Sequence, residues 1–228
     1  MYRAVRIIIA IASFLCASAA SAAFVSFNLS NSDTLRDGVN YLRVTIDDEG
    51  KPGQINFHVS VLGPLRQQAG RHFGIEEFAF NSDFGISSRN IVNLPRHWKA
   101  GGSDKIHGFG RFDESVEAKN PRARVESLDF SIKGIKWDTI ESYLDPSSGR
   151  AREGNFFFAV RVAGLNGDFK CITDATFGGG DMIPQLPTPL PGSTGLLLGG
   201  LGLFGLVAWR QRRKEGPPFM IGRFAGAA

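Results

Sequence analysis

An all-β ectodomain, an antiparallel β-sandwich or jelly-roll-like fold, is what three observations predict for this chain. Apolar and polar residues alternate in short runs, Gly, Asn, Asp and Pro separate those runs, and no central stretch sustains a helical period. Tyr41-Leu42-Arg43-Val44-Thr45-Ile46 alternates, as does Ile55-Asn56-Phe57-His58-Val59-Ser60-Val61. Between them Asp48-Glu49-Gly50-Lys51-Pro52-Gly53 is turn chemistry, so the pair predicts a hairpin. Further strands are expected at Glu77-Phe78-Ala79-Phe80 and over residues 107–112, 125–132, 155–162 and 169–177. In Leu128-Asp129-Phe130-Ser131-Ile132 the alternation sets one side in a core and the other in water. Residues 137–144 offer at most two helical turns. Strands divided by such turns assemble as sandwiches or jelly rolls.

Many of the 19 phenylalanines fall on these strands, and stacked sheets need that bulk to fill a core about 10 Å thick. Phe156-Phe157-Phe158 must send at least one ring to the face opposite its neighbours. That ring is either covered by a loop or offered to a ligand. Cys16 lies in the N-terminal leader described below, so the mature domain holds Cys171 alone and closes no internal disulfide. An apolar core therefore has to hold the domain together. Cys171 is expected on a strand, as a buried small residue or as a reactive thiol.

The two ends read as addresses. Arg3 and Arg6 precede an apolar run over residues 7–16 and small residues through Ala23, the order of a secretory signal peptide. Ala20-Ser21-Ala22 fits cleavage before Ala23, and Ser21-Ala22-Ala23 fits cleavage one residue later. The bulky Phe14-Leu15 before Cys16 argues against lipidation. Near the other end, residues 192–209 form 18 positions without a charge. As a helix they cover about 27 Å, against a hydrocarbon core of about 30 Å. Their six glycines suit a membrane helix better than a soluble one. Arg210, Arg212, Arg213 and Lys214 follow directly and predict a cytoplasmic tail, with the domain outside. The expected organisation is a signal peptide (1–22), the ectodomain (23–182), a proline-rich linker and sorting motif (183–191), a transmembrane helix (192–209), and a basic cluster with a short tail (210–228).

This division also resolves the charge. Of 26 Lys and Arg, two precede Ala23 and five lie at or beyond Arg210, whereas 21 of the 22 Asp and Glu lie in between. The ectodomain is thus near −2, and the basic character of the chain belongs to its ends. Nucleic-acid binding, which wants a strongly basic domain, is not expected.

Pro189-Leu190-Pro191, Gly192-Ser193-Thr194, the apolar span to Trp209 and the cluster from Arg210 to Lys214 stand in a fixed order. Over these residues, with the leader, the chain resembles the PEP-CTERM family of exported bacterial proteins. Leu190 occupies the centre of the motif, so the signal looks like the Pro-Leu-Pro variant, and the chain continues past the basic cluster to Ala228. The resemblance implies an exosortase, a membrane-embedded cysteine peptidase, as partner. It also implies export through the inner membrane, transient anchoring by the C-terminal helix, and delivery to the cell surface or an extracellular matrix. An extracellular polysaccharide is then a candidate partner.

Catalytic chemistry is sparse. Asp47-Asp48-Glu49 is the densest acidic run, yet it lacks the spaced oxygen ligands of a calcium loop and reads as charge at a hairpin tip. His58, His72, His97 and His107 show no H-x-x-x-H spacing and have no cysteine pair, so zinc is not expected. No G-x-S-x-G elbow occurs. Asp113, Glu126 and Asp129 are strand-borne carboxylates that a glycosidase would need in a pair. Pro95-Arg96-His97-Trp98-Lys99 combines cations, an imidazole and an indole, which suits a sugar or an anionic polymer and equally suits a loop pinned by a buried Trp98. Trp98 is the candidate ligand contact. No catalytic residue, cofactor or metal is expected. The leading expectation is a non-catalytic surface or matrix domain. A carbohydrate-binding module using converging Trp98, Trp137 and Tyr143, a secreted hydrolase, and a single-pass membrane protein with an uncut span are the alternatives.

Overall fold

The alternating pair does form a hairpin, β3 (Leu42–Asp47) with β4 (Gln54–Val61), in antiparallel register from Leu42 opposite Val61 to Asp47 opposite Asn56. The computed structural model describes residues 23–166 and 173–182. In it this hairpin is the middle of a six-stranded sheet. Its flanks are β1 (Phe24–Leu29) and β14 (Asp181–Met182) on one side, with β11 (Ser127–Lys133) and β6 (Ile91–Val92) on the other. A second six-stranded sheet runs β2 (Asn31–Ser32), β13 (Asp174–Gly179), β12 (Phe158–Leu165), β5 (Ala69–Phe80), β10 (Glu114–Ala118), β7 (Trp98–Ala100). A small hairpin joins β8 (Asp104–Ile106) to β9 (Gly110–Phe112). Every pairing is antiparallel.

The alternation has the predicted consequence. Along β4 the residues Ile55, Phe57, Val59 and Val61 are buried, while His58 between them is exposed. The buried rings of the two sheets meet in one core. Phe57 stacks on Phe130 at 4.9 Å with an interplanar angle of 4°, and reaches across to Phe80 at 5.2 Å and Phe78 at 5.9 Å. Phe27 of the first sheet contacts Phe158 of the second at 5.3 Å. Such ring pairs each add about 0.5–1.5 kcal/mol beyond their burial.

The triple phenylalanine divides its rings. Phe158 is fully buried in this core, and Phe157 packs on Phe27 at its margin. Phe156 instead joins a second, smaller cluster of Ala79, Ile106, Phe109, Phe112 and Ala159 on the outer side of the second sheet. There the β8–β9 hairpin lies against small residues. A Cβ on Gly178 would stand 2.4 Å from the Phe109 ring, so a larger residue would lift the hairpin away.

Several boundaries differ from expectation. Only Gly110–Phe112 of the 107–112 run is strand, because Phe109 N–H donates to Ile106 O at 3.1 Å and closes a turn through Gly108. The 155–162 strand starts at Phe158 and runs on to Leu165. The last predicted strand is described from Asp174, and its portion carrying Cys171 lies outside the described residues. β1, β7 and β10 are additions. The alternation of β1 follows directly on the leader's small residues, which blur its start, and β7 and β10 are short. The predicted signal peptide (1–22), the sorting motif and the predicted transmembrane helix (192–209) also lie outside the described residues. Among the described residues no helix is long and apolar enough to cross a membrane.

The segment 137–144 contains a single 3₁₀ turn, Ile140–Tyr143, that closes one end of the core. Tyr143 is fully buried, sits edge-on to Phe57 at 5.2 Å, and donates its hydroxyl to Asp138 Oδ2 at 2.7 Å. Asp138 is itself buried, its Oδ1 lacks a partner, and desolvation raises its pKa against the hydrogen bonds from Tyr143 and Thr139. Tyr143→Phe strips the donor from this carboxylate and should cost about 1–3 kcal/mol in chemical denaturation. Asp138→Asn keeps an acceptor for the hydroxyl and should cost less. Equal losses would show that the carboxylate charge, and not only an acceptor for the hydroxyl, is needed at this turn.

Candidate functional site

The sequence-predicted site residues scatter. Trp98 is 5% exposed, and its indole Nε1 donates to Ala123 O at 2.7 Å. Burial corrects the expectation that Trp98 contacts a ligand: the indole pins the 3₁₀ turn Pro121–Ala123 to the sheet edge. Tyr143 is buried as described, whereas Trp137 is 79% exposed and carries Lys136 Nζ over its ring at 5.2 Å. The three aromatics therefore form no common platform.

Two of the three candidate carboxylates are occupied too. Asp129 faces His58 directly across β11 and β4, with Nδ1 to Oδ1 at 2.5 Å. Glu126 accepts from Arg66 Nε at 2.8 Å. Asp113 donates its backbone N–H to Asn81 Oδ1 at 2.9 Å. At the hairpin tip Asp48 Oδ1 accepts from Gly50 N–H at 2.8 Å and from Ala23 N–H at 2.9 Å, while Glu49 pairs with Lys51. This acidic run is turn structure. Among the described residues no group of three or more His, Cys, Asp or Glu is arranged to hold a metal ion.

Two features emerge that the sequence did not single out. The first is a polar cleft of about 330 Å³ on the outer side of the second sheet, where Glu77, Arg161 and Thr176 stand in one cross-strand row beside Asp104 of the small hairpin. Burial pushes the Glu77 carboxyl up to about 7, aided by hydrogen bonding to Asp104 and by the charges of Asp104 and Glu117, and opposed by Arg161. Glu77 Oε1 is buried and, among the described residues, has no hydrogen-bond partner.

The second feature is a cationic depression of about 780 Å³ lined by Arg71, His72, His97, Asn120, Pro121 and Arg122. Three segments meet there. The start of β5 supplies Arg71 and His72, the turn before β7 supplies His97, and the 3₁₀ turn supplies the rest. The backbone is specialised at both histidines. His72 has φ +55° and His97 φ +65°, a left-handed conformation that costs a non-glycine residue about 1–3 kcal/mol and persists only where surroundings enforce it.

The enforcement is visible. At His72 the β5–β12 register shifts, and Gly164 lies so close that a Cβ there would stand 2.5 Å from His72 O. Arg124 Nη1 donates to the same carbonyl at 3.3 Å. Lys119 N–H donates to His97 O at 2.8 Å, and Asn120 Oδ1 accepts from Arg122 N–H at 3.0 Å. No lining residue is acidic, and among the described residues neither Arg71 nor Arg122 enters an ion pair. The mixed loop around Trp98 thus has a divided role: the indole anchors from within and His97 faces the depression. The Arg-His and Pro-Arg pairs were readable in the sequence. Their convergence was not, because about 25 residues separate each contributor from the next.

Residues 187–214 match the PEP-CTERM protein-sorting motif. The chain carries a PEP-CTERM sorting signal. The match covers Pro189, Leu190 and Pro191, the apolar span, and the basic residues Arg210, Arg212, Arg213 and Lys214. Comparison with curated proteins and with solved structures finds no match.

Glu77 provides a pH test of the cleft. Its folded pKa of about 7 exceeds the ordinary 4.5, so the native state keeps a proton that the unfolded chain releases in this window. The stability tied to that proton is complete below about pH 4.5 and lost as pH rises through 7. Glu77→Gln should melt higher than the parent protein at pH 8 and close to it at pH 4, read by thermal denaturation. Identical pH profiles for the two proteins would show that Glu77 is charged at no cost.

Proposed function

We propose that this is a non-catalytic β-domain of a bacterial cell surface or extracellular matrix, exported by its signal peptide and sorted through its C-terminal signal. The observation that carries the reading is the PEP-CTERM match at residues 187–214. Its parts act in sequence. The leader starts export, the apolar span halts it, and the basic cluster holds the tail in the cytoplasm, so that Pro189-Leu190-Pro191 stands on the outer side for an exosortase-type peptidase. A domain stabilised by its own aromatic core, without an internal disulfide, needs no further processing to fold there.

A carbohydrate-binding role for the domain is the second reading. The aromatic triad that would have favoured it is dispersed, and the cationic depression now supports it instead. The secreted-hydrolase reading loses support because two of its three candidate carboxylates, Glu126 and Asp129, are tied to Arg66 and His58.

The mass and terminal peptides of the protein from its native host, with fractionation, test the sorting reading. Loss of the segment from about Pro189 onward, with the domain in surface or medium fractions, is the expected result. Recovery of residues 210–228 on a protein confined to the inner membrane would overturn it and leave a tethered periplasmic domain. The N-terminal peptide carries a separate expectation. Cleavage before Ala23 places a new α-ammonium on Asp48 Oδ1, where the Ala23 nitrogen stands at 2.9 Å. The mature chain should begin Ala23-Phe24-Val25, and Asp48→Asn should lower its stability by about 0–1 kcal/mol.

A further inference from the structure

We propose that the depression formed by Arg71, His72, His97, Asn120 and Arg122 binds a carboxylate-bearing unit of an anionic sugar chain. The inference deepens the surface-domain reading and rests on it for the presence of such a polymer outside the cell. The chemistry comes from the lining itself.

Two guanidinium groups without a carboxylate partner among the described residues share one side of the domain. A guanidinium fork matches the planar geometry of a carboxylate through two parallel hydrogen bonds, so an anion held between them is bound and oriented at once. The imidazoles of His72 and His97 and the amide of Asn120 offer both donors and acceptors, as neighbouring hydroxyls require. The volume of about 780 Å³ lies within the range of small-molecule sites. Arg71 also lines an adjoining depression of about 400 Å³ with Arg124 and Arg161, which gives a chain of rings somewhere to continue. Those two arginines are neutralised by Glu76 and Asp174, so unpaired charge is concentrated in the first depression.

The backbone supports a built site. Both histidines hold left-handed conformations, each locked by a hydrogen bond to its carbonyl. The buried Trp98 indole fixes the third wall through Ala123. Walls set before the ligand arrives lower the ordering cost of binding. Nor is the cationic character a by-product of overall charge, since the ectodomain is near −2. That same balance, with no Phe, Tyr or Trp lining the depression, favours a sugar acid over a nucleic acid, which would need a basic domain and stacking rings.

The test is titration of the full-length protein in detergent with tri-galacturonate, by calorimetry. Galactotriose, inorganic phosphate and single-stranded oligothymidylate serve as comparison probes. Saturable binding of the uronate is expected, with none of galactotriose. Arg71→Gln and Arg122→Gln should each weaken it by about tenfold or more, the scale of one charge-assisted hydrogen bond. Arg150→Gln, in a different depression, should leave it unchanged, and thermal melts of all three variants establish that they fold. Equal affinity for galactotriose, indifference to both arginine substitutions, or no binding of the uronate would overturn the proposal. Tighter binding of phosphate or of the oligonucleotide would do the same, the former reassigning the site to a free anion and the latter to nucleic acid. The outcome is separable from that of the sorting reading. A sorted protein that ignores the uronate leaves sorting intact, and an unsorted protein that binds it leaves the pocket intact.

Discussion

The cluster of rings between the two sheets is the constraint on which the domain depends. No cysteine lies among the described residues, and the described 3₁₀ turns and the single helical turn Gly63–Arg66 are too short to cover a sheet face. Phe57 stands at the centre, stacked on Phe130 within its own sheet and touching Phe78, Phe80 and Tyr143 from elsewhere. Aromatic side chains bury large areas at few rotatable bonds. Two layers joined this way act as one rigid body, and the edges can then carry backbone that would not persist alone. His72, His97 and Trp137, all with positive φ, sit in loops or irregular strand ends around that body.

Small residues decide what the outer faces do. On the second sheet Ala79, Ala159 and Gly178 leave room for the β8–β9 hairpin and its phenylalanines, so part of that face is covered by a second core. One row away the residues become Thr176, Arg161, Glu77 and Glu117, and the face turns polar. The first sheet makes no such provision. Its outer side is a ladder of cross-strand polar pairs, Ser26 with Thr45 and His58 with Asp129. An exposed pair such as His58 with Asp129 is worth about 0–1 kcal/mol, so it keeps the face polar more than it holds it together.

Charge is divided along this sequence. Of the 26 Lys and Arg, seven lie before residue 23 or from residue 210 on, and the stretch between is slightly acidic. Against that background a patch lined by two arginines and two histidines stands out as local chemistry. Unlike Arg124 and Arg161, which are tied to Glu76 and Asp174, Arg71 and Arg122 enter no ion pair among the described residues.

The sequence by itself determined the parts whose physics is local. The β3–β4 hairpin was legible because side chains alternate with the pleat and a run of turn residues divides the strands. β11 was legible for the same reason, and the sorting signal because proline, apolar length and basic charge act in order along one segment. The edge strands β7 and β10 were not, since so few residues establish no period and only a partner makes them strands. Tertiary structure alone decided the site. Trp98 and His97 are neighbours in a loop whose composition suited either burial or display. The carbonyl of Ala123, 25 residues away, took the indole inward, while the backbone turned the imidazole outward. Arg71, His97 and Arg122 became one surface only when β5, β10 and β7 paired side by side, a contact between distant segments that no local pattern encodes.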